Sequence, residues 1–318
     1  MKIQTVAETA LSVHESLRIR KCRIQNGNSN RRVCVVTGIH GDELEGQYLT
    51  WLLNNYLQQN IEHLNGIVDI YPAINPMGID CITRGIPQFD LDMNRIFPGN
   101  PDGTTMENVA ASVIQDITGA DICIDVHSSN IYLQELPQIR INILTAKELI
   151  PYAKLMNVDF IWVHESATVL ESTLAYSLNS IGTKTLVVEM GVGMRITQQY
   201  GQQLFEGILN LMHYLGMWDG EVPSVREPII SMDGAVEFLN SDAAGVFVPS
   251  ASFGDEVHPG THIGDILDPL QGTIVKSVDS SCEGLLFTLR EYPIVYGGSL
   301  LGRILKQDGA IGEEATLE

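Results

Sequence analysis

Val33-Cys34-Val35-Val36-Thr37-Gly38-Ile39-His40-Gly41-Asp42-Glu43 runs from a β-branched apolar segment through a glycine into a histidine and a glutamate. Val33 to Ile39 has the length and composition of a strand. Gly38 and Gly41 leave the backbone free to turn sharply. Glu43 then opens a segment to Leu57 in which Leu44, Tyr48, Trp51, Leu52 and Leu57 recur at helical spacing. The alternation continues along the chain, with further strands expected at Ile67 to Pro72, Asp121 to Val126, Arg140 to Leu144, Phe160 to Val163 and Thr185 to Met190. A second amphipathic helix is expected from Gln198 to Leu215, with Leu204, Ile208, Leu211 and Leu215 inward. Strands alternating with helices indicate an α/β fold, a sheet covered by helices.

Two more expected strands end on chemistry. Asp125-Val126-His127 places Asp125 and His127 on one side of a strand by its period of two, and Val187-Val188-Glu189 ends on a carboxylate. His40, His127 and Glu189 thus fall at the C-terminal ends of strands, the edge where open α/β sheets bind ligands. A catalytic zinc takes three ligands from histidine and carboxylate and leaves a fourth position for water, a set that His40, Glu43 and His127 supply. Glu189 then remains as a base. His-x-x-Glu is a weak signal by itself in a chain with 8 histidines, because a surface histidine beside a glutamate at a helix N-terminus reads the same way. Asp125 suits either an orienting partner for His127 or a turn residue. His262-x-x-Asp265 lies among turn glycines and reads as surface, and His164-Glu165 reads as a polar strand terminus.

With 318 residues, 44% of them hydrophobic and 18% charged, the chain has the composition of a globular protein able to bury a substantial core. Its net charge of -20 repels phosphate backbones and anionic membranes, so neither nucleic acid nor a membrane surface is an expected partner. No window approaches the roughly 18 apolar residues of a membrane span. The five cysteines form no Cys-x-x-Cys pair, and no secretory leader is evident, which points to a reducing, cytoplasmic setting.

Pro223 to Pro228 breaks the helical pattern, and the sequence beyond it is short, Val- and Ile-rich and punctuated by glycine. Residues 1–225 are therefore expected to form the catalytic α/β domain and 226–318 a small all-β module. Gly254-Asp-x-Val257-x-x-Gly260-x-x-Ile263-Gly264, followed by Glu283-Gly-Leu-Leu286, resembles the half-barrels of biotinyl and lipoyl carrier domains. Lys276 is not in a carrier-lysine context, so a non-carrier module that shapes the site entrance or an oligomer contact is expected, leaving room for a homo-oligomer.

Asp90-Leu-Asp92-Met-Asn94-Arg95-Ile-Phe-Pro98-Gly99 is the most specific segment of the chain. Arginine grips a carboxylate in a bidentate fork, and an adjacent asparagine adds hydrogen bonds. With His40-Gly-Asp-Glu43, Asp125-Val-His127 and Val188-Glu189-Met-Gly, in that order, it resembles the succinylglutamate desuccinylase and aspartoacylase family of the zinc carboxypeptidase-like superfamily. The resemblance covers nearly the whole chain and implies a mixed sheet flanked by helices, followed by a barrel-sandwich-like β module.

The resemblance further implies one zinc on His40, Glu43 and His127, with Glu189 as general base and Arg84 polarising the scissile carbonyl. Asn94 and Arg95 would bind the substrate carboxylate, and Asp92 would hydrogen-bond a ligand histidine. Aspartate-directed members carry another arginine shortly before the base, but none lies between Arg140 and Arg195 here; Arg195, just after Glu189-Met-Gly-Val-Gly, is the candidate substitute. The implied activity is amide hydrolysis of an N-acyl amino acid or similar small carboxylate-bearing substrate. The alternatives are a metallocarboxypeptidase acting on short peptides and a non-catalytic metal-containing binding protein.

Overall fold

A computed structural model describes residues 1–165 and 171–307. Two strands precede the opening segment, β1 (Lys2–Ala10) and β2 (Ser16–Asn26), and β3 (Arg32–Thr37) follows them. Then come α1 (Glu45–Gln59), β4 (Gly66–Ala73), α2 (Pro76–Cys81), α3 (Thr105–Ile117), β5 (Ile122–Ser128), β6 (Leu133–Asn142) and α4 (Ile143–Ala153). The chain continues through β7 (Phe160–His164), α5 (Leu174–Ser180), β8 (Thr185–Gly191), α6 (Gln198–Tyr214) and β9 (Ile229–Met232).

The central strands β4, β3, β5 and β8 are parallel neighbours, β6 joins β8 antiparallel, and β2 and β1 extend the other edge antiparallel, so the sheet is mixed. Strand alternation sorts the buried residues between two cores. Val33 and Val35, Ile122 and Ile124, and Leu186 and Val188 face the core under α1, α4 and α6. Cys34, Val36 and Cys123 face the core under α3 and α5. Buried Leu49, Leu53 and Leu57 seat α1, each contributing about 1.5–3 kcal/mol. Asp125, His127 and Glu189 take the parity of the second face, which puts three polar side chains of adjacent strands together.

Several boundaries differ from expectation. The helix expected from Glu43 starts at Glu45, leaving Glu43 in the turn. The strand expected over Arg140 to Leu144 begins at Leu133 and ends at Asn142, whose side chain accepts from Leu144 N at 2.8 Å and caps α4. Pro137 lies where the β6–β8 register shifts, so the irregularity hides the first half of the strand.

Among the described residues beyond 226 the regular structure is β apart from one 3-10 turn at Asp233–Ala235, with β10 (Val236–Asn240), β11 (Gly245–Pro249), β12 (Glu256–Val257), β13 (His262–Asp268), β14 (Thr273–Asp279), β15 (Gly284–Arg290), β16 (Ile294–Val295) and β17 (Leu300–Lys306). Strands β14, β13, β11 and β16 form a separate antiparallel sheet. Strand β15 instead pairs with β6, carrying β17 and β10 into the main sheet, and β9 pairs with β7. The late strands therefore continue the sheet that holds the site. Among the described residues, no helix is long and apolar enough to cross a membrane.

Candidate metal centre and active site

Strand β3 delivers His40 through a tight turn. Gly38 sits at φ +64°, a conformation that side chains other than glycine rarely adopt, and its carbonyl accepts from Asn75 N at 2.7 Å. Gly41 packs directly on Gly78: a Cβ there would stand 2.0 Å from the Gly78 carbonyl carbon. Gly41 N also donates to Arg84 O at 3.2 Å, tying the turn to the segment that presents Arg84.

Glu43 lies between two imidazoles. Its Oε1 is 2.7 Å from His40 Nδ1 and its Oε2 is 2.9 Å from His127 Nδ1. The opposite ring nitrogens face carboxylates: His40 Nε2 is 3.1 Å from Asp92 Oδ1, and His127 Nε2 is 3.4 Å from Asp125 Oδ1. Such partners favour a proton on each Nε2 and leave each Nδ1 lone pair directed toward Glu43. The candidate ligand atoms of His40, Glu43 and His127 all lie within 4.8 Å of one another, and all three residues are buried.

The electrostatics match a centre built for positive charge. Burial disfavours protonation of His127, yet Asp125 and Glu43 push its pKa well above the usual histidine value. His40 is raised in the same way by Asp92 and Glu43, against burial. Burial opposes ionisation of Glu43, but the imidazoles, His127 foremost, hold it down at about 2. Buried nitrogen and carboxylate donors converging on one point, with their far sides fixed by acids, fit a zinc ion.

Glu189 is the β8 neighbour of His127 in the parallel register, and its side chain retains 17% exposure, into the cavity. Burial pushes its pKa up to about 7 against the pull of Arg140 and His127. Arg84 Nη1 is 3.0 Å from Glu43 Oε1, and its Nε is 3.3 Å from Asp92 Oδ2. The Asp92 carboxylate also accepts from Asn94 N at 2.8 Å, capping the short turn Met93–Arg95 that buried Met93 and Phe97 anchor. Asn94 Oδ1 accepts from Leu174 N at 2.9 Å, which leaves its NH2 group to donate. Arg95 Nη1 donates to Asn94 O at 2.8 Å.

His40, Glu43, Arg84, Asn94, Arg95, Asp125, His127 and Glu189 all line one cavity of about 630 Å³. Asp92 supports it from behind His40. Arg195 is not brought there: it is exposed after β8, in a loop where Met194 turns at φ +62° and donates its N–H to Asp42 O at 2.6 Å.

Sequence reasoning passed over Glu135, Arg140 and Arg303, which also line the cavity, and read His164, another lining residue, as a polar strand terminus. Arg140 had a local signal, a charge between Ile139 and Ile141 in a strand-length segment, whereas Glu135 and Arg303 had none of that kind. His164 Nδ1 lies 2.9 Å from Asp233 Oδ1, and burial, with Arg140, lowers its pKa to about 4. His262 pairs with Asp279 and Asp265 on the far β sheet, as a surface residue.

Residues 29–215 match the family described as the Succinylglutamate desuccinylase/Aspartoacylase catalytic domain. The chain is 27% identical over 239 residues to the N-alpha-acetyl-L-2,4-diaminobutyric acid deacetylase of Halomonas elongata, covering 73% of this chain and 69% of that protein. A succinylglutamate desuccinylase/aspartoacylase of Rhodobacter sphaeroides has a similar fold, with a TM-score of 0.79 at 23% identity over 96% of this chain and 95% of that one. So does the product-bound ectoine utilization protein EutE (DoeB) of Ruegeria pomeroyi, with a TM-score of 0.77 at 23% identity over 93% and 91% of the two chains. The family match spans more than half of the sequence and contains every residue of the converged metal and base cluster, and the chain belongs to the succinylglutamate desuccinylase/aspartoacylase family.

Proposed function

We propose that this protein is a zinc-dependent amide hydrolase that removes the acyl group from an N-acyl amino acid or a similar small carboxylate-bearing molecule. The observation that carries the reading is Glu43 held between two Nδ1 atoms whose rings are fixed by Asp92 and Asp125, with Glu189 on the adjacent strand. His40, Glu43 and His127 would hold the zinc, which when bound polarises a carbonyl and acidifies water. The deacetylase activity named for the Halomonas relative supports amide cleavage.

The chain's own residues divide the remaining work. Asn94 and Arg95 hold the substrate carboxylate and so orient the scissile amide. Glu189 takes a proton from the attacking water as its oxygen bonds to the acyl carbon. Glu189 then gives that proton to the departing nitrogen as the C–N bond breaks, so one water yields a carboxylate and an amine. Arg84 places a guanidinium where negative charge grows on the former carbonyl oxygen, a role whose loss typically costs about 2.7–4 kcal/mol of barrier.

A cavity of about 630 Å³, with Arg303 of β17 in its lining, suits a small substrate better than an extended peptide. The test is amine release from a panel of N-acyl amino acids and short peptides, before and after chelation and zinc re-addition. Zinc-restored release from acyl amino acids is expected. Chelation-insensitive release, or release from peptides alone, would overturn the assignment.

A further inference from the structure

Three side chains outside the metal cluster and the carboxylate-binding pair meet at the inner wall of the cavity. Glu135 on β6 is 1% exposed and engages a guanidinium with each oxygen: Arg140 Nη2 lies 2.8 Å from Oε2, and Arg303 Nη1 pairs with Oε1. Arg140 extends its other terminal nitrogen to 3.5 Å from Glu189 Oε1. Both guanidiniums lie over the Trp162 ring, 5.7 Å and 5.5 Å from its centroid.

Strand register creates this arrangement. Arg303 on β17 is paired with Thr288 on β15, and Thr288 with Glu135 on β6, so the three share one face of the sheet. Arg303 must reach across Thr288 to meet Glu135, and the short threonine lets it pass, with Oγ1 3.5 Å from Nη1. A bulkier residue there would lift the guanidinium away.

The shared anion matters because of what Arg140 would do without it. A buried carboxylate paired with a single arginine favours a bidentate fork. Left with Glu135 alone, Arg140 would turn both donors onto that carboxylate and swing away from Glu189. Arg303 blocks this outcome by occupying Oε1.

We propose that Arg303, from the C-terminal strand, is a positioning residue of the active site: by holding Oε1 of Glu135 it keeps Arg140 directed at the Glu189 carboxylate. The inference rests on reading Glu189 as the proton-carrying base. It also gives the segment beyond the family-matched residues 29–215 a working part in the site.

Crystal structures and steady-state kinetics of Arg303→Met, Arg303→Lys, Glu135→Gln and the Glu135→Gln/Arg303→Met double variant test it. In Arg303→Met the Arg140–Glu189 separation is expected to open beyond about 4 Å, outside ion-pair reach. Its kcat is expected to fall about 10- to 100-fold, the scale of roughly 1 Å of misplacement, with KM within about twofold of wild type. Arg303→Lys keeps the cation and is expected to restore most of the rate. In the Glu135→Gln background, Arg303→Met is expected to add no more than about twofold, because both act through one interaction. Should Arg303→Met fail to fold, Glu135→Gln leaves β17 intact and must itself lower kcat by a comparable factor. An unmoved Arg140, an unchanged kcat, independent additive effects or a rise in KM alone would overturn the proposal, the last making Arg303 a substrate-binding residue. If the wild type releases no amine from any substrate, the hydrolase reading fails, while the Arg140–Glu189 distance in the variant crystals still decides the role of Arg303.

Discussion

Asp125→Asn separates metal affinity from folding. Asp125 is fully buried, and among the described residues neither of its oxygens has a conventional hydrogen-bond partner; Oδ1 lies 3.4 Å from His127 Nε2. Its charge is therefore held for that imidazole. Asparagine keeps the shape and an acceptor oxygen but removes the negative charge that makes Nδ1 a stronger ligand. Loss of such an outer partner typically weakens metal affinity by about 10- to 100-fold, or about 1.4–2.8 kcal/mol. At a free zinc concentration of about 100 times the wild-type Kd, binding stabilises the wild type by about 2.7 kcal/mol and a tenfold weaker variant by about 1.4 kcal/mol. Chelator competition gives the affinity, and thermal unfolding with and without zinc gives the stabilisation. The metal-free variant is expected to lose less than about 1 kcal/mol, the scale of one altered hydrogen bond. Wild-type zinc affinity in Asp125→Asn would refute the reasoning.

Two further predictions concern the scaffold. Asp69 is 0% exposed and accepts from Lys21 at 3.1 Å, Arg23 at 2.6 Å and Arg32 at 2.9 Å, so Asp69→Asn is expected to destabilise by about 3–5 kcal/mol. Burial raises its pKa, but these cations outweigh burial and hold the carboxyl below its ordinary value. Its contribution is thus fully present above the unfolded pKa of about 3.9 and is lost as pH falls through the lower folded value. Urea unfolding of wild type and variant should differ at neutral pH and converge in acid; a gap that widens in acid would contradict the sign. Gly41→Ala must force the Gly78 backbone away, at about 1–3 kcal/mol, and displace His40, so zinc affinity and melting temperature should fall together. Gly234→Ala, with nothing within 4 Å of the added carbon, is the control and should leave both unchanged.

The central strands and the site cluster were legible because their signals are local. Val33 to Val36 and Leu186 to Val188 are unbroken apolar runs, with Glu189 directly after the second and His40 just beyond the first. Strands β1 and β2 went unread because they mix charge with apolar residues. In β2 the buried Leu17 and Ile19 alternate with Arg18 and Arg20, and beyond a register shift at Arg20–Cys22 buried Ile24 faces the opposite core, so the burial pattern keeps no single period of two. Pro137 concealed the start of β6, and with it Glu135. Arg303 was beyond local reading altogether: its place in the cavity depends on the β6–β15–β17 pairing, a contact spanning 168 positions of sequence. Arg195 is the converse case: near Glu189 in sequence, it is exposed beyond the turn at Met194 and is not among the residues that line the cavity.

The division of labour between metal ligands and base is tested most directly by Glu189→Gln, with zinc content and amine release measured on the same preparation. The account predicts about one zinc per chain in both proteins, from the single buried His/Glu/His cluster among the described residues. Turnover should fall by about 10²- to 10⁴-fold in the variant, the usual scale of a general base. Amine release at the wild-type rate from the zinc-loaded variant would contradict it.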